Sequence, residues 1–440
     1  MAVTGTRGVD VLVVGGGLAG VVAALAARAE GAQVALARRS WGATALSTGA
    51  WDLCWQPPLG EGTGPAQPLR AHLADLVAHR PRHPLARLGL EQASRQMVSG
   101  HQLLVAGLAA GDEPAWSLEP GPVDLDRPHA LVVSSLGAVL PAATAAASHL
   151  GLPLAGRWGL AALDGLGQVN GPRVVGGATY DLARMGVAGL DFTLVRAELR
   201  AVSSFAAAAA LEQGDAIEQL ARSLAPQLAG KDGVVVPPVL GLAKHREVRA
   251  RLARALGLPV VEMAGHLPSV PGLRLQRALD RAVDAAEIEV LGGQVAARLD
   301  EQRLAEVVGD DGAAVRPGAV VLASGRFIAG GVATGRRARE ALIGLPVASE
   351  LGAPVEVDPV QAVRPDPGEA HPLMTCGLQV NERLQPLTDE GEALANVFAA
   401  GMVLGGFAAR FCRSADGVAL ATGAAAGQAA ALAAGRAGAQ

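Results

Sequence analysis

Asp10-Val-Leu-Val-Val-Gly15-Gly-Gly-Leu-Ala-Gly20 is the stretch on which the fold turns. Its apolar run, Val11 to Val14, reads as a buried strand, and Leu18 to Glu30 as an alanine-rich helix stopped by Gly31. A second strand, Ala32 to Ala37, completes a β-α-β start. Gly15, Gly17 and Gly20 form GxGxxG between strand and helix. In that setting glycines allow a tight turn, close approach of backbone to a phosphate and close helix–strand packing, with the helix dipole facing the anion. A nucleotide or flavin phosphate fits this turn better than the competing reading, a glycine-rich βα turn that binds nothing.

The surrounding composition is globular: 440 residues, 50% hydrophobic and 18% charged, enough for two or more domains with proper cores. A formal charge of −4 leaves no electrostatic footprint for nucleic acid. Lys231 and Lys244 are the two lysines among 37 basic residues, so a single arginine carries little information here. Cys54, Cys376 and Cys412 form no CxxC, which excludes a disulfide framework, a zinc site or an iron–sulfur cluster of the usual spacing and suits a reducing cytoplasm. Val11 to Ala27, Ala130 to Gly156 and Gly417 to Gly435 are weakly apolar and broken by glycine or alanine-rich. The chain is therefore expected to be soluble, with any membrane attachment made through a partner.

Proline, glycine and histidine from Pro57 to Pro84 suggest an excursion away from the first domain. Ala130 to Leu136 reads as a strand followed by a helix-like alanine run to Leu150. Further strands are expected at Gly233 to Val236 and Pro259 to Glu262, with helices at Ala206 to Arg222, His245 to Leu256 and Leu273 to Ala286. Glu289 to Val315 reads as hairpins, Ala319 to Ala323 as a buried strand, and Asn396 to Gly435 as strand, glycine-rich turn and helix.

Arg38 and Arg39 end the second strand, where an acid normally accepts the adenosine ribose hydroxyls; they either hold a 2′-phosphate or are solvated. Two later segments resemble flavoprotein motifs. Ala319 to Gly325, with Ser324 and Gly325 at its end, is similar to the strand that returns to the nucleotide domain, and Asn396 to Gly406, with Gly401, Met402, Gly405 and Gly406, to the late strand near the flavin ribityl chain. Asp416-Gly417-Val418 then opens the final helix, whose amides can stabilise negative charge on a reduced ring. Together they imply an α/β, Rossmann-like FAD/NAD(P)-binding flavoprotein fold of the glutathione-reductase type, discontinuous, with an inserted middle α/β domain. The expected boundaries are 1–56 with 316–440 for the flavin domain, 57–129 for the proline-rich excursion and 130–315 for the middle domain and return hairpins.

A narrower resemblance lies in Ser47-Thr-Gly49-Ala-Trp-Asp52-Leu53, in Leu267 to Leu275, in LASGRFIAGGV at 322–332 and in GMVLGGF at 401–407. This combination resembles the B subunit family of the anaerobic glycerol-3-phosphate dehydrogenase. The resemblance implies a flavin-dependent partner of an FAD-containing catalytic subunit, with an iron–sulfur membrane-anchor subunit linking both to the quinone pool, and FMN as the cofactor with FAD as the alternative. It places Ser47, Gly49 and Asp52 among the cofactor-binding residues. Phe411 to Gly417 departs from the glycine-rich run of that family, and Met402 stands where related flavoproteins carry an acid.

For catalysis, Arg274 with Ser269 and His266 is the candidate pocket for a phosphorylated or carboxylated substrate, against the competing reading of a surface arginine beside a packed turn. Arg326 and His371 read as solvated loop residues. The expected function is oxidation of glycerol 3-phosphate to dihydroxyacetone phosphate, with electrons passed to quinone from the cytoplasmic face of the membrane. The alternatives are a stand-alone NADP- or FAD-dependent oxidoreductase and a non-catalytic scaffold.

Overall fold

The computed structural model describes residues 7–55, 67–109, 123–128, 130–142, 152–167, 169–199, 201–310, 312–356, 366 and 369–438. Strand β1 (Arg7–Val14) and β2 (Val34–Arg38) pair in parallel, joined by helix α1 (Leu18–Ala29). Gly15 is what allows the crossing: its φ is +122° and a Cβ there would stand 2.2 Å from the Ala323 carbonyl oxygen. At Gly20 a Cβ would stand 1.8 Å from the Gly15 carbonyl oxygen, so no other residue lets α1 lie this close to the sheet.

Helices α2 (Leu69–His79), α3 (Pro84–Leu88) and α4 (Leu90–Ala109) follow. They correct the expected excursion: Leu69, Leu73, Leu76, Leu85, Met97 and Leu104 are fully buried in the same core as β1 and α1. Residues 56–66 lie outside the described residues. Where a strand and helix were expected after Ala130, β3 (Ala130–Val133) and β4 (Val139–Ala142) form an antiparallel hairpin. Its turn is set by Gly137 at φ +95° and by the Ser134 hydroxyl, which accepts the Ala138 N–H at 3.0 Å. The alanine run at 143–150 lies outside the described residues.

The middle sheet was only half anticipated. β5 (Ala155–Asp164) leads through α5 (Gly171–Arg184) to β6 (Gly189–Glu198), then α6 (Ser204–Leu211), α7 (Ala216–Leu224), β7 (Gly233–Val236), α8 (His245–Leu256) and β8 (Val260–Glu262). All four strands are parallel in the order β6-β5-β7-β8. The single helix expected from 206 to 222 is two, broken where Gly214 takes φ +55°. This sheet has its own hydrophobic core, with members running from Leu131 to Met263.

Helix α9 (Val270–Ala285) returns the chain to the first core, entering it through Leu275, Ala278, Leu279 and Val283. β9 (Glu289–Gly292) joins the far edge of β2 in parallel, and β10 (Val295–Asp300), β11 (Arg303–Gly309) and β12 (Ala314–Leu322) form antiparallel hairpins. Residues 289–309, grouped above with the middle unit, are thus strands of the first sheet. Two short hairpins follow, β13 (Val332–Thr334) with β14 (Ala338–Glu340) and β15 (Val347–Ala348) with β16 (Gly377–Leu378), the last preceded by α10 (Pro372–Thr375). β17 (Val397–Ala399) pairs with β12, completing the parallel run β9-β2-β1-β12-β17. After α11 (Ala409–Cys412), helix α12 (Ala415–Gly438) packs across α1 and α4. Among the described residues only Ala415–Gly435 is long and apolar enough to cross a membrane, and 78% of that window is buried inside the protein.

Candidate functional site

The carboxyl ends of β1, β2 and β12 open onto a cavity of about 410 Å³, the crevice where parallel α/β sheets bind ligands. Val14 to Ala19 form one wall, with the N-terminus of α1 pointing in. No side chain of Gly17 caps that helix and no acid stands in its first turn, so its positive end is left for an anion. The Thr44 hydroxyl, also in the wall, accepts the Leu18 N–H at 3.0 Å. From below, Gln276 on α9 donates to the Gly16 carbonyl at 3.3 Å.

To one side of this cradle lie Arg38, Arg39 and Ser40 with the Gly293-Gln294-Val295 turn. Arg38 is not free: its guanidinium is paired with Asp280 of α9, which also accepts from the Trp41 indole at 3.2 Å and from Gln276 at 3.0 Å. To the other side lie Ser47, Thr48, Ala50 and Asp52, with Glu340 to Leu342, Met402 and Asp416. There Asp416 Oδ2 accepts the Asp52 N–H at 2.9 Å, and Arg413 bonds Asp52 at 2.7 Å. Burial, together with the neighbouring Asp52 charge, pushes Asp416 up to about 7. Burial also raises Asp52, against the pull of Arg413.

Glycine backbone at a helix terminus free of acidic side chains, with room on both sides, fits a phosphate-bearing flavin. Comparison with known proteins agrees. A family model described as an FAD binding domain matches residues 10–416. The B subunit of the anaerobic glycerol-3-phosphate dehydrogenase of Pectobacterium atrosepticum is 30% identical over 90% of this chain and 92% of its own length. The chain belongs to this B subunit family. A probable B subunit of the same enzyme from Halobacterium salinarum is 29% identical over 96% of this chain and 97% of its own. A flavocytochrome c3 fumarate reductase in its open conformation aligns over 98% of this chain and 80% of its own, at 12% identity and a TM-score of 0.42.

Of the residues expected to hold the cofactor, Gly15, Gly17, Arg38, Arg39, Ser47, Asp52, Ser324, Gly325, Met402 and Asp416 line the cavity. Gly20, Gly49, Gly401, Gly405, Gly406, Gly417 and Val418 stand outside its lining. Several of these are packing contacts: at Gly417 a Cβ would stand 1.9 Å from the Leu53 carbonyl oxygen, and Val418 is fully buried. The Arg274 expectation is corrected. That side chain is 2% exposed and bidentate to Glu262, itself fully buried, at 2.9 and 2.7 Å, so it has no face for a substrate. His266 is outside the cavity lining too, bonded through Nδ1 to Ser135 at 2.6 Å. Ser269 is a helix cap, its hydroxyl accepting the Gly272 N–H at 3.0 Å while donating to the Ser47 carbonyl.

Sequence reasoning missed Thr44, Gln276, Asp280 and the 293–295 turn, because their relevance comes from elements distant in the chain. It also misread Arg326, which is buried and donates to the carbonyls of Met402, Met374, Leu404 and Phe407.

Outside the cavity lining, His83 Nδ1 accepts the Leu85 N–H at 3.1 Å, and its Nε2 is 3.0 Å from the Ser414 hydroxyl. Burial, aided by Arg80 and Arg326, pulls this imidazole down to about 3, and burial alone brings His101 to about 4. Both are neutral in the folded protein and charge in the unfolded chain below pH ~6.5. The folded state then binds fewer protons, so stability is lost as pH falls from ~6.5 toward ~4, at up to about 1.4 kcal/mol per pH unit for each histidine. Urea midpoints measured across this range are expected to fall, and His83→Gln to flatten the slope; an unchanged slope would remove His83 from the account.

Proposed function

We propose that this chain is the FAD-holding B subunit of a glycerol-3-phosphate dehydrogenase, in which sn-glycerol 3-phosphate is oxidised to dihydroxyacetone phosphate and electrons leave toward quinone. Its partners in this reading are an FAD-containing catalytic subunit and an iron–sulfur subunit that anchors the complex at the cytoplasmic face of the membrane. The family membership supports the reaction.

The observation that favours FAD over the FMN expected above is the extent of the cavity on both sides of the phosphate cradle. FMN ends at its phosphate, whereas here the wall continues past Gly15–Gly17 to Arg38, Ser40 and Val295, where an adenosine would lie. Bound FAD would supply the step from two-electron hydride chemistry to one-electron carriers. The chain's own part is to bind and orient. Gly15 to Gly17 would hold the pyrophosphate, Thr44 fixes the helix start through the Leu18 N–H, and Asp52, Met402 and Asp416 would line the ring end. Because Arg38 is neutralised by Asp280, it makes a poor receptor for the 2′-phosphate of NADP, which weakens the stand-alone NADP reading.

The test is the mass of the ligand released when purified protein is denatured. FAD at close to one per chain is expected, and Gly17→Val, which puts a branched side chain where the phosphate meets backbone, should abolish its retention. Release of FMN or NADP, or of nothing from protein supplied with FAD, overturns the assignment.

A further inference from the structure

We propose that Asp416 is the proton-exchanging group of the cavity, clasped to Asp52 so that a ligand filling the ring end of the site is taken up together with a proton. The inference rests on the flavin reading above and concerns what that site does when it is filled.

The two aspartates come from opposite ends of the chain and are locked together by backbone. Asp52 donates its N–H to Asp416 Oδ2 at 2.9 Å, and the Asp416 and Gly417 N–H groups donate to the Asp52 carbonyl oxygen at 3.1 and 3.2 Å. Neither can swing away from the other without breaking this clasp. Among the described residues, a cation is bonded to Asp52 alone of the two, Arg413 at 2.7 Å; its charge also pulls Asp416 down, by less than burial and the Asp52 charge raise it. Arg413 is held there by an unusual backbone: it caps α11 in the left-handed region, at φ 39° and ψ 53°, which non-glycine residues avoid unless their surroundings enforce it. Met402, Ala415 and Ala419 add apolar surface to the wall of the same cavity.

The other ionisable groups nearby do not compensate Asp416. His83 is bonded to Ser414, His101 stacks edge-on against Trp51, and both are held neutral by burial. Glu340, in another part of the wall, takes the Leu342 and Ile343 N–H groups. With burial and the Asp52 charge raising it to about 7, the Asp416 carboxyl is divided between its two forms at neutral pH. A ligand that expels water from this end disfavours the carboxylate further. One proton then passes from solvent to a carboxylate oxygen, and no other bond changes. A proton affinity matched to the working pH is also what transfer to or from a reacting group requires.

The experiment is calorimetric loading of the flavin-free protein with FAD at about pH 7.5, in buffers of low and high ionisation enthalpy, where the slope of heat against that enthalpy counts protons. Wild type is expected to take up on the order of half a proton per FAD, decreasing as the pH is lowered through ~6. Asp416→Asn keeps the oxygen that accepts the Asp52 N–H, and whatever its affinity, the FAD it takes up should carry a slope near zero. A zero slope in wild type, or an unchanged slope in the variant, overturns the proposal while leaving the flavin reading intact. Absence of FAD binding to wild type sinks the flavin reading, and this proposal with it. Infrared difference spectra of wild type alone give a second check should the variant not fold. A protonated-carboxyl C=O band titrating near neutral pH and growing on loading is expected, and its absence overturns the assignment.

Discussion

Arg274→Ala is expected to lower the free energy of unfolding by about 3–5 kcal/mol, the range for removing one partner of a buried ion pair. Glu262 is fully buried at the end of β8, and once the guanidinium is gone its carboxylate is left with the Leu240 N–H, at 2.8 Å, and a net charge out of reach of water. His245 Nδ1, between Arg274 and the Leu240 carbonyl oxygen, cannot replace two guanidinium donors. The pair also joins the two cores, since Glu262 closes the middle sheet and Arg274 sits on the helix that returns to the first. Urea denaturation checks the magnitude. Arg274→Met combined with Glu262→Gln, which removes the orphaned charge but keeps an acceptor for Leu240, should recover at least half of the loss. If the proposed complex is reconstituted and oxidises glycerol 3-phosphate, its half-saturating concentration should not move with Arg274→Ala, because the side chain is outside the cavity lining. A rise of tenfold or so there would restore the substrate-binding role that the ion pair argues against.

Arg326→Ala should be comparably damaging, by about 3–5 kcal/mol, because it leaves four carbonyls without their charged donor, and should also weaken flavin retention. One guanidinium donates to four carbonyls, among them Met402 at 2.9 Å, Leu404 at 3.0 Å and Phe407 at 2.9 Å, and stands 5.0 Å from the centre of the Phe407 ring. Hydrogen bonds to a charged group are worth about 1.5–3 kcal/mol each, with less than full additivity. Burial brings Arg326 down to about 10, so it remains charged through the neutral range. Because Met402 is itself cavity wall, loosening 402–407 should raise the FAD dissociation constant at least tenfold, as measured by fluorescence titration. Arg326→Lys should recover only part, since an ammonium cannot span four acceptors in a plane. A variant as stable as wild type would show that water satisfies these carbonyls.

The β-α-β start was legible because Val11 to Gly20 carries its whole meaning locally: apolar strand, glycine turn, alanine helix. The late strand and final helix were legible for the same reason. β5 was not, because Gly156, Arg157 and Gly159 interrupt its apolar run, and β6 was not, because it is an edge strand whose buried and exposed residues alternate. The cavity wall was read where it follows the strand–glycine–helix motifs, but not at Thr44, which has no such marker, or at the 293–295 turn, whose Gly292-Gly293 pair reads as an ordinary hairpin break. Arg274 was read as a ligand because a helix start and a guanidinium suggest an anion. The anion proved to be Glu262, visible in the sequence only as an acid ending the short run Val260-Val261. Charge complementarity between elements is settled by topology, which local patterns do not contain.

The interleaving of the two cores imposes an order on synthesis. The middle sheet uses strands that all lie between residues 155 and 262, so its core can close as soon as that contiguous stretch has left the ribosome. The host sheet cannot, because β1 and β2 wait for β9, β12 and β17 to cover their edges and for α12 to cover α1. Through this interval the apolar faces of β1, β2 and α1 are open to solvent, a period in which a chaperone, or the protein with which this chain assembles, has its best access to the nascent polypeptide.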